Sequence, residues 1–138
     1  MGATRTRTGI ITLLLGTLLL SSCTEHVKEH CSGKDGTTSC TVTFETSDGQ
    51  WSTLLEGDDW DESARFSGTF TIESGSGTLL IEGADSSQEY PLTPEEPVVV
   101  EDLPLALKRD DEDTWIYLKV TSDPQIDGFS AQYEFTPS

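Results

Sequence analysis

Apolar and polar residues alternate with a period of two along most of this chain, a pattern that favours extended strands half-buried in a sheet. The clearest case is Arg65–Glu73, where every second residue from Phe66 to Ile72 falls on one face and hydroxyl or charged residues fall on the other. No stretch shows the 3.6-residue period of an amphipathic helix. The other predicted strands are Thr41–Thr46, Trp51–Glu56, Thr78–Glu82, Val98–Val100, Leu103–Leu107, Trp115–Val120 and Gly128–Phe135. We therefore predict an all-β fold, an antiparallel β-sandwich or jelly roll of about eight strands.

The inward-facing half of each predicted strand supplies a candidate core. Its members are Val42, Phe44, Phe66, Gly68, Phe70, Ile72, Leu103, Leu105, Leu107, Ile116, Leu118, Val120, Phe129, Ala131, Tyr133 and Phe135. The run Val98–Val100 has no polar member and is predicted to be buried throughout. Pro104 cannot donate a ladder hydrogen bond, so it indicates an edge strand or a strand start. The segment Gly83–Glu96, with its two prolines, is predicted to be a long polar loop.

The N-terminus carries a different pattern. Basic residues at Arg5 and Arg7 precede the apolar run Ile10–Leu20, which is too short to span a bilayer comfortably. The run ends in Leu20-Ser21-Ser22-Cys23, which resembles the bacterial lipoprotein signal. That resemblance implies that residues 1–22 are removed, that Cys23 is acylated, and that the protein is held on a membrane of the cell envelope, outside the cytoplasm. An ordinary secretory signal with a chance cysteine, or a transmembrane anchor, are the alternatives.

Removal of such a signal leaves a very acidic chain. All 25 acidic residues follow Cys23, together with six basic ones, which gives the mature chain a net charge of −19. This charge argues against nucleic acid as a partner and against a body adsorbed on anionic lipid. It suits cations, or basic peptides and basic protein patches. Solubility at a crowded surface explains the same charge without any partner.

If Cys23 carries lipid, Cys31 and Cys40 remain, and a pair of cysteines in an exported protein predicts a disulfide. Asp35-Gly36 between them is a turn signal. Two free thiols or half of a metal site are the alternatives. With these assignments we expect a lipidated Cys23 with a polar tether to His30, and one β-domain over residues 31–138.

The C-terminal segment Ile116–Asp123, followed by Gly128-Phe-Ser-Ala-Gln-Tyr133, resembles the last two strands of a CUB domain. CUB domains are extracellular β-sandwiches of about this length that bind proteins or carbohydrate, often with calcium. The resemblance covers roughly the last 20 residues. It implies a CUB-like sandwich used for binding.

Motifs for catalysis are scarce. His26-Val-Lys-Glu-His30 spells H-x-x-E-H, a zinc-protease pattern that requires both histidines on one face of a helix. A helix of useful length does not fit between a lipidated cysteine and a disulfide, so we interpret the motif as a solvated tether. These are the only two histidines of the sequence, which leaves the β-domain without a Ser-His-Asp or Cys-His constellation. We predict that the protein is not an enzyme.

Two sets of residues are candidates for binding. The acidic loop residues Asp58, Asp59, Asp61 and Glu62 could supply oxygen ligands to Ca²⁺, although their spacing is not that of a known calcium loop. Trp115 and Tyr117 alternate with core residues and would face outward, where they could bind a sugar or a peptide. The sequence thus favours a membrane-anchored, non-catalytic binding or interaction module. The alternative is a structural or protective surface protein whose charge is its function.

Overall fold

Residues 24–138 are described in a computed structural model, and the lipoprotein-like segment through Cys23 lies outside them. The described part is all-β, as predicted, and contains no helix long and apolar enough to cross a membrane. Its strands are β1 (Thr24–Glu25), β2 (Lys28–Lys34), β3 (Thr37–Ser47), β4 (Gln50–Gly57), β5 (Ser63–Thr71), β6 (Ser74–Glu82), β7 (Ser87–Leu92), β8 (Val98–Ala106), β9 (Lys108–Asp110) and β10 (Asp113–Pro137).

The strands form two antiparallel sheets that share the long strand β10. The first sheet has the order β2-β3-β10-β5-β8 and uses the second half of β10, from Ile126 onward. The second sheet has the order β4-β10-β6-β7 and uses the first half, Thr114–Thr121. Short β1 extends the first sheet at the end of β3, and β9 pairs with the start of β10. The β-sandwich expected from the alternating pattern is confirmed.

A bend in β10 carries the chain from one sheet to the other. The ladder with β6 shifts its register between Ser122 and Ile126, around a cis peptide bond at Asp123-Pro124. Gly75 of β6 lies against this bend with a φ of 91°, and a Cβ there would stand 2.0 Å from the carbonyl oxygen of Gln125. Only glycine fits this position, because the backbone is left-handed and has no room for a side chain. The two separate C-terminal strands expected from the sequence are therefore one continuous strand.

The core lies between the two sheets and contains the predicted inward residues, with two departures. Leu103 is only partly buried and packs against the core edge, and Gly68 is half-buried. Aromatic rings fill the centre: Phe44 stacks on Phe129 at 4.6 Å between centroids, and Tyr133 lies 5.7 Å from Phe66. Such ring pairs add attraction beyond the area they bury.

Two expectations about local structure are corrected, and one is confirmed. Val99 is 55 % exposed, because β8 is an edge strand whose alternation turns this side chain outward while Val98 and Val100 face inward. The segment 83–96 is not a continuous loop, because Ser87–Leu92 pairs with β6 and buries Leu92. Pro104 does lie on the edge strand, as predicted, and Pro91 lies on the edge of the other sheet.

The N-terminal segment expected to be a tether is paired to the first sheet instead. Thr24 lies opposite Ser47, and Lys28 lies opposite Thr43, so the chain follows β3 along nearly its whole length. All seven side chains of β2 are exposed. The strand is therefore held by backbone pairing and by the predicted Cys31–Cys40 disulfide, which is present and joins directly opposite residues with Cα atoms 4.1 Å apart.

The two ends of the sandwich carry different turns and loops. The Thr24 end carries Thr24, the turn at 48–49, the turn at 72–73 and the β10 bend at 122–125. The Ser138 end carries the Asp35-Gly36 turn, the 58–62 loop, the turn at 111–112 and the C-terminal Ser138. At about 3.3 Å per residue, the eight residues of β4 separate the two ends by roughly 25 Å.

Candidate functional site

The outer side of the second sheet carries two large aromatic residues, Trp115 and Tyr117, on one strand. Ile116, Leu118 and Val120 face the core, so the alternation of β10 turns Trp115, Tyr117 and Lys119 outward. Trp115 and Tyr117 are both half-buried and, two residues apart on one strand, have Cα atoms about 7 Å apart. The structure thus brings the two predicted binding residues together on one surface.

The neighbouring strands complete this surface. Trp115 lies between Glu56 of β4 and Lys108 of β9, and Tyr117 lies between Leu54 of β4 and Glu82 of β6. We call the outward side chains Leu54, Glu56, Glu82, Lys108, Trp115 and Tyr117 the aromatic face. It combines two aromatic rings and a leucine with charged groups of both signs, and of these only the aromatic residues are enriched at protein interfaces.

Leu54 is the member of the aromatic face that sequence reasoning missed. Its side chain is 48 % exposed and lies directly opposite Tyr117. The signal was present in the alternation of β4: Trp51 and Leu55 face inward, so an outward leucine between the polar residues Ser52 and Glu56 is out of pattern. An apolar residue at an outward position next to aromatic rings is typical of an interaction patch.

Two members of the aromatic face form an ion pair. The Nζ of Lys108 lies 3.7 Å from Oε1 of Glu82, and both side chains are about a third exposed. Lys108 lies opposite Trp115 and Glu82 lies opposite Tyr117, so the pair connects the positions beside the two rings. Partly exposed pairs of this kind contribute little to stability, so their main effect here is to fix the orientation of charge beside the rings.

The other two tryptophans do not belong to this surface. Trp51 faces inward and packs against the core, with its ring 6.3 Å from that of Phe129. Trp60 is 75 % exposed but lies on the 58–62 loop, at the Ser138 end. The alternation of β4 explains the burial of Trp51.

The acidic loop predicted to bind calcium has a defined internal structure. Asp61 is 6 % exposed and its Oδ2 accepts a hydrogen bond of 2.8 Å from the backbone N–H of Asp58. Arg109 donates hydrogen bonds of 2.7 Å to the carbonyl oxygens of Asp59 and Asp61, and Thr114 donates one to that of Asp58. These bonds hold the loop against the turn that follows β9, which carries a second acidic segment, Asp110–Asp113.

The carboxylates of Asp58, Asp59, Asp61 and Glu62 do not converge on one point. Among residues 24–138 no group of three or more His, Cys, Asp or Glu side chains has a geometry that could hold a metal ion. Asp61 instead caps its own loop, a common role for aspartate in turns. Calcium binding at this loop stays a prediction without geometric support.

Neither histidine of the H-x-x-E-H motif lies in a helix. His26 is in the bend between β1 and β2, with a left-handed φ of 57°, and its Nδ1 lies 3.1 Å from Oε1 of Glu45, while His30 is in β2 opposite Thr41. The zinc motif needs one helical face, which an extended chain cannot provide. His26 instead ties the start of the described chain to β3.

A depression lies on the outer side of the first sheet. It has a volume of about 530 Å³ and is wide open. Hydroxyl and amide side chains, including those of Thr41, Thr69 and Gln132, line part of it. Short polar side chains are the usual cover of a solvated sheet, so this depression is a weaker candidate than the aromatic face.

Comparisons with known proteins give no family. No protein-family model matches the chain, and no curated protein sequence matches it. Solved structures with a similar fold include a cupin-superfamily protein from Desulfitobacterium hafniense, with 13 % identity over 86 % of this chain and 83 % of that one, at a TM-score of 0.34.

Two further similar structures are a carbohydrate-binding module and part of a larger protein. The module TmCBM61, solved in complex with β-1,4-galactotriose, has 12 % identity over 81 % of this chain and 88 % of its own, at a TM-score of 0.43. The capsular polysaccharide assembling protein CapF from Staphylococcus aureus has 10 % identity over 78 % of this chain and 28 % of its own, at a TM-score of 0.38. At these identities the likeness concerns the fold alone.

Proposed function

We propose that this protein is a lipid-anchored, extracytoplasmic module that binds a partner on its aromatic face without catalysing a reaction. The observation that carries the proposal is the position of Trp115 and Tyr117 on the solvent side of a sheet whose inner side already supplies the core. Neither ring is needed to fill the interior. Large aromatic residues contribute most of the binding energy at many protein interfaces.

The partner that best fits the aromatic face is a basic segment of another protein. The ring of Trp115 lies beside the carboxylate of Glu56 on β4, whereas the carboxylate of Glu82, next to Tyr117, is paired with Lys108. A lysine or arginine side chain stacked on such a ring gains a cation–π attraction and a carboxylate neighbour together. The net charge of −19 would also steer a basic partner toward the molecule and raise its association rate.

Lipid attachment is supported by the sequence that ends in Cys23, because a charged segment, an apolar run and two small residues precede the cysteine. Two acyl chains on one residue would give stable membrane attachment. The anchor would keep the module at the cell envelope, where its partner is to be sought. Replacement of Cys23 by serine should release the protein from the membrane fraction.

A non-catalytic role is supported by the surroundings of the titratable groups. His26 is paired with Glu45, and Asp61 is occupied with its own loop. General acid–base catalysis requires a group poised over a bound substrate, in hydrogen-bond reach of the proton that it transfers. The acids of the described residues are instead mostly exposed side chains, many of them at the Ser138 end.

The proposal is tested with the acylated protein in neutral phosphatidylcholine vesicles. A short arginine-rich peptide is titrated into this sample, and binding is measured by calorimetry. We expect saturable binding by the wild type. The double variant Trp115→Ala and Tyr117→Ala should bind at least about tenfold more weakly, as expected when interface aromatic residues are truncated. Trp60→Ala is the matched control, because Trp60 is exposed but lies away from the aromatic face.

The same titration distinguishes the proposal from a protein that acts by charge alone. Such a protein would bind the peptide equally well with or without its outward aromatic rings, since neither substitution changes the net charge. Equal binding by the wild type and the double variant would therefore refute the aromatic face as a site. Loss of binding in Trp60→Ala alone would move the site to the Ser138 end.

A further inference from the structure

The first described residue is already attached to the sandwich. Thr24 pairs with Ser47 in the sheet, its Oγ1 shares a 2.9 Å hydrogen bond with the Ser47 hydroxyl, and the same Oγ1 donates to the carbonyl oxygen of Gln50 at 3.3 Å. Next along the chain, Glu25 pairs with Thr46. These contacts fix Thr24 beside the turn that connects β3 to β4.

The following residues strengthen this attachment. The imidazole of His26 lies 3.1 Å from the carboxylate of Glu45, and Lys28 begins the continuous pairing of β2 with β3. The disulfide Cys31–Cys40 closes the hairpin farther along. Backbone pairs, the contact between His26 and Glu45 and a covalent bond thus oppose detachment of residues 24–34, although none of their side chains lies in the core.

The position of Thr24 limits how far an anchor can be from the domain. Consecutive Cα atoms are about 3.8 Å apart, so an acylated residue 23 lies one peptide unit from the Thr24 end. A flexible tether of eight residues would instead allow the domain to tumble at distances of up to about 28 Å.

We propose that this docked N-terminal segment orients the domain on the membrane, with the Thr24 end against the lipid headgroups and the Ser138 end directed away from them. The proposal rests on the lipid anchor proposed above. The membrane-facing surface comprises the turn at 48–49, the turn at 72–73 and the β10 bend at 122–125. The paired acidic loops lie at the opposite end, roughly 25 Å farther out.

Both ends carry negative charge, but the Ser138 end carries more of it. The turns and the bend at the Thr24 end contribute Asp48, Glu73 and Asp123. The two acidic loops contribute eight carboxylates at the Ser138 end, from Asp58, Asp59, Asp61, Glu62 and Asp110–Asp113. Anionic headgroups repel such a concentration of negative charge, and the repulsion falls off over a Debye length of about 8 Å at physiological ionic strength. Placing that end outward removes it from the repulsion and presents it, together with the length of the aromatic face, to partners in solution.

The orientation is tested by energy transfer to an acceptor dye on the lipid headgroup. A fluorescent non-canonical amino acid replaces either Gln50 or Glu56, two exposed residues on the same side of the same strand β4. They are about 20 Å apart along the strand and differ in little else. In vesicles of neutral phosphatidylcholine, the acylated protein labelled at 50 should transfer at least about twofold more efficiently than that labelled at 56.

A linker variant provides the matched control. Insertion of a flexible Gly-Ser segment between Cys23 and Thr24 leaves the anchor and the fold intact but frees the domain to tumble. Both positions should then transfer with nearly equal efficiency while the protein stays on the vesicles. Persistence of the difference in this variant would show that the domain surface, and not the docked segment, sets the orientation.

The outcomes separate the two proposals. Equal transfer from positions 50 and 56 in the membrane-bound wild type would overturn the orientation and leave the anchor in place. Membrane retention of a Cys23→Ser variant, or failure of the wild type to bind vesicles, would overturn the anchor and the orientation together. Stronger transfer from position 56 would overturn the orientation by reversing it.

Discussion

Two side chains show how single residues set the stability of this sandwich. Tyr133 lies in the core with 2 % of its surface exposed, and its hydroxyl finds no hydrogen-bond partner within residues 24–138. Burial raises the pKa of this phenol, with a further contribution from the charge of Glu29. Asp127, near the β10 bend, is the opposite case, because its carboxylate accepts three hydrogen bonds.

Replacement of Tyr133 by phenylalanine should stabilise the protein. An unpaired buried hydroxyl costs about 1–3 kcal/mol, and phenylalanine keeps the ring that packs on Phe66 and Phe70. We expect the free energy of unfolding in urea to rise by about 1 kcal/mol. Tyr117→Phe, on the aromatic face, is the control and should change stability little. A Tyr133→Phe variant less stable than the wild type would show that the hydroxyl has a partner.

The carboxylate of Asp127 should make stability depend on pH. Hydrogen bonds donated by Thr46, by Gln125 and by Ser74 lower the pKa of this carboxyl below its ordinary value of 3.8. A carboxyl group whose pKa is lower in the folded state contributes its full stabilisation above about pH 3.8. This stabilisation is lost as the pH falls through the lower, folded-state pKa. Asp127→Asn should therefore be less stable than the wild type at pH 7.

Urea unfolding of both proteins between pH 7 and pH 2 checks this prediction. The stability difference between the wild type and Asp127→Asn should shrink below pH 3.8, because the wild-type carboxyl is then protonated as well. Using the difference removes the contribution of the other 24 acids, which the two proteins share. A difference that stays constant across the whole range would contradict the assignment.

At the scale of elements, the edge strands β2 and β7 were the ones that the sequence did not predict. β2 has seven exposed side chains and β7 has four, so neither shows the alternation that reveals a half-buried strand. Both exist because a neighbouring strand offers backbone groups to pair with. The interior strands β3, β5 and β10 were predictable, since each buries every second residue along most of its length.

The Cys31–Cys40 disulfide should hold β2 in place. The loop that it closes spans about ten residues, for which chain entropy predicts a stabilisation of roughly 2.5–3 kcal/mol. The double variant Cys31→Ser and Cys40→Ser should lose about that much free energy of unfolding. In hydrogen exchange, amides of Lys28–Lys34 should lose protection first, whereas amides in the first half of β10 should stay protected. Uniform loss of protection would mean that the disulfide supports the whole sandwich.

The whole molecule is dominated by its negative charge. The 25 acids and six bases that follow Cys23 repel one another on balance, and the repulsion destabilises the compact state. Among the described residues, Arg65 pairs with Asp102, Lys108 pairs with Glu82, and His26 lies beside Glu45. Most carboxylates therefore depend on water and salt for compensation.

Salt should stabilise the protein at neutral pH. Raising the ionic strength from roughly 0.01 M to 0.15 M shortens the Debye length from about 30 Å to about 8 Å and screens the repulsion. We expect the melting temperature, followed by circular dichroism, to rise over this range at pH 7. The rise should be much smaller near pH 4, where many carboxylates are protonated. A melting temperature that falls with salt at pH 7 would mean that attractive pairs outweigh the repulsion.

The sequence by itself determined the all-β fold, most of the core and the disulfide, because the period of two and the count of cysteines are local properties of the chain. It also indicated that Trp115 and Tyr117 point outward. Only the tertiary structure decided that Leu54 lies directly opposite Tyr117, that Trp51 packs beside Phe129, and that Asp61 holds its own loop. Each of these depends on which strand lies beside which, and strand order is set by the burial of the whole core. For the same reason, only pairing with β3 turns the segment after Cys23 from a polar tether into a strand that can orient the domain.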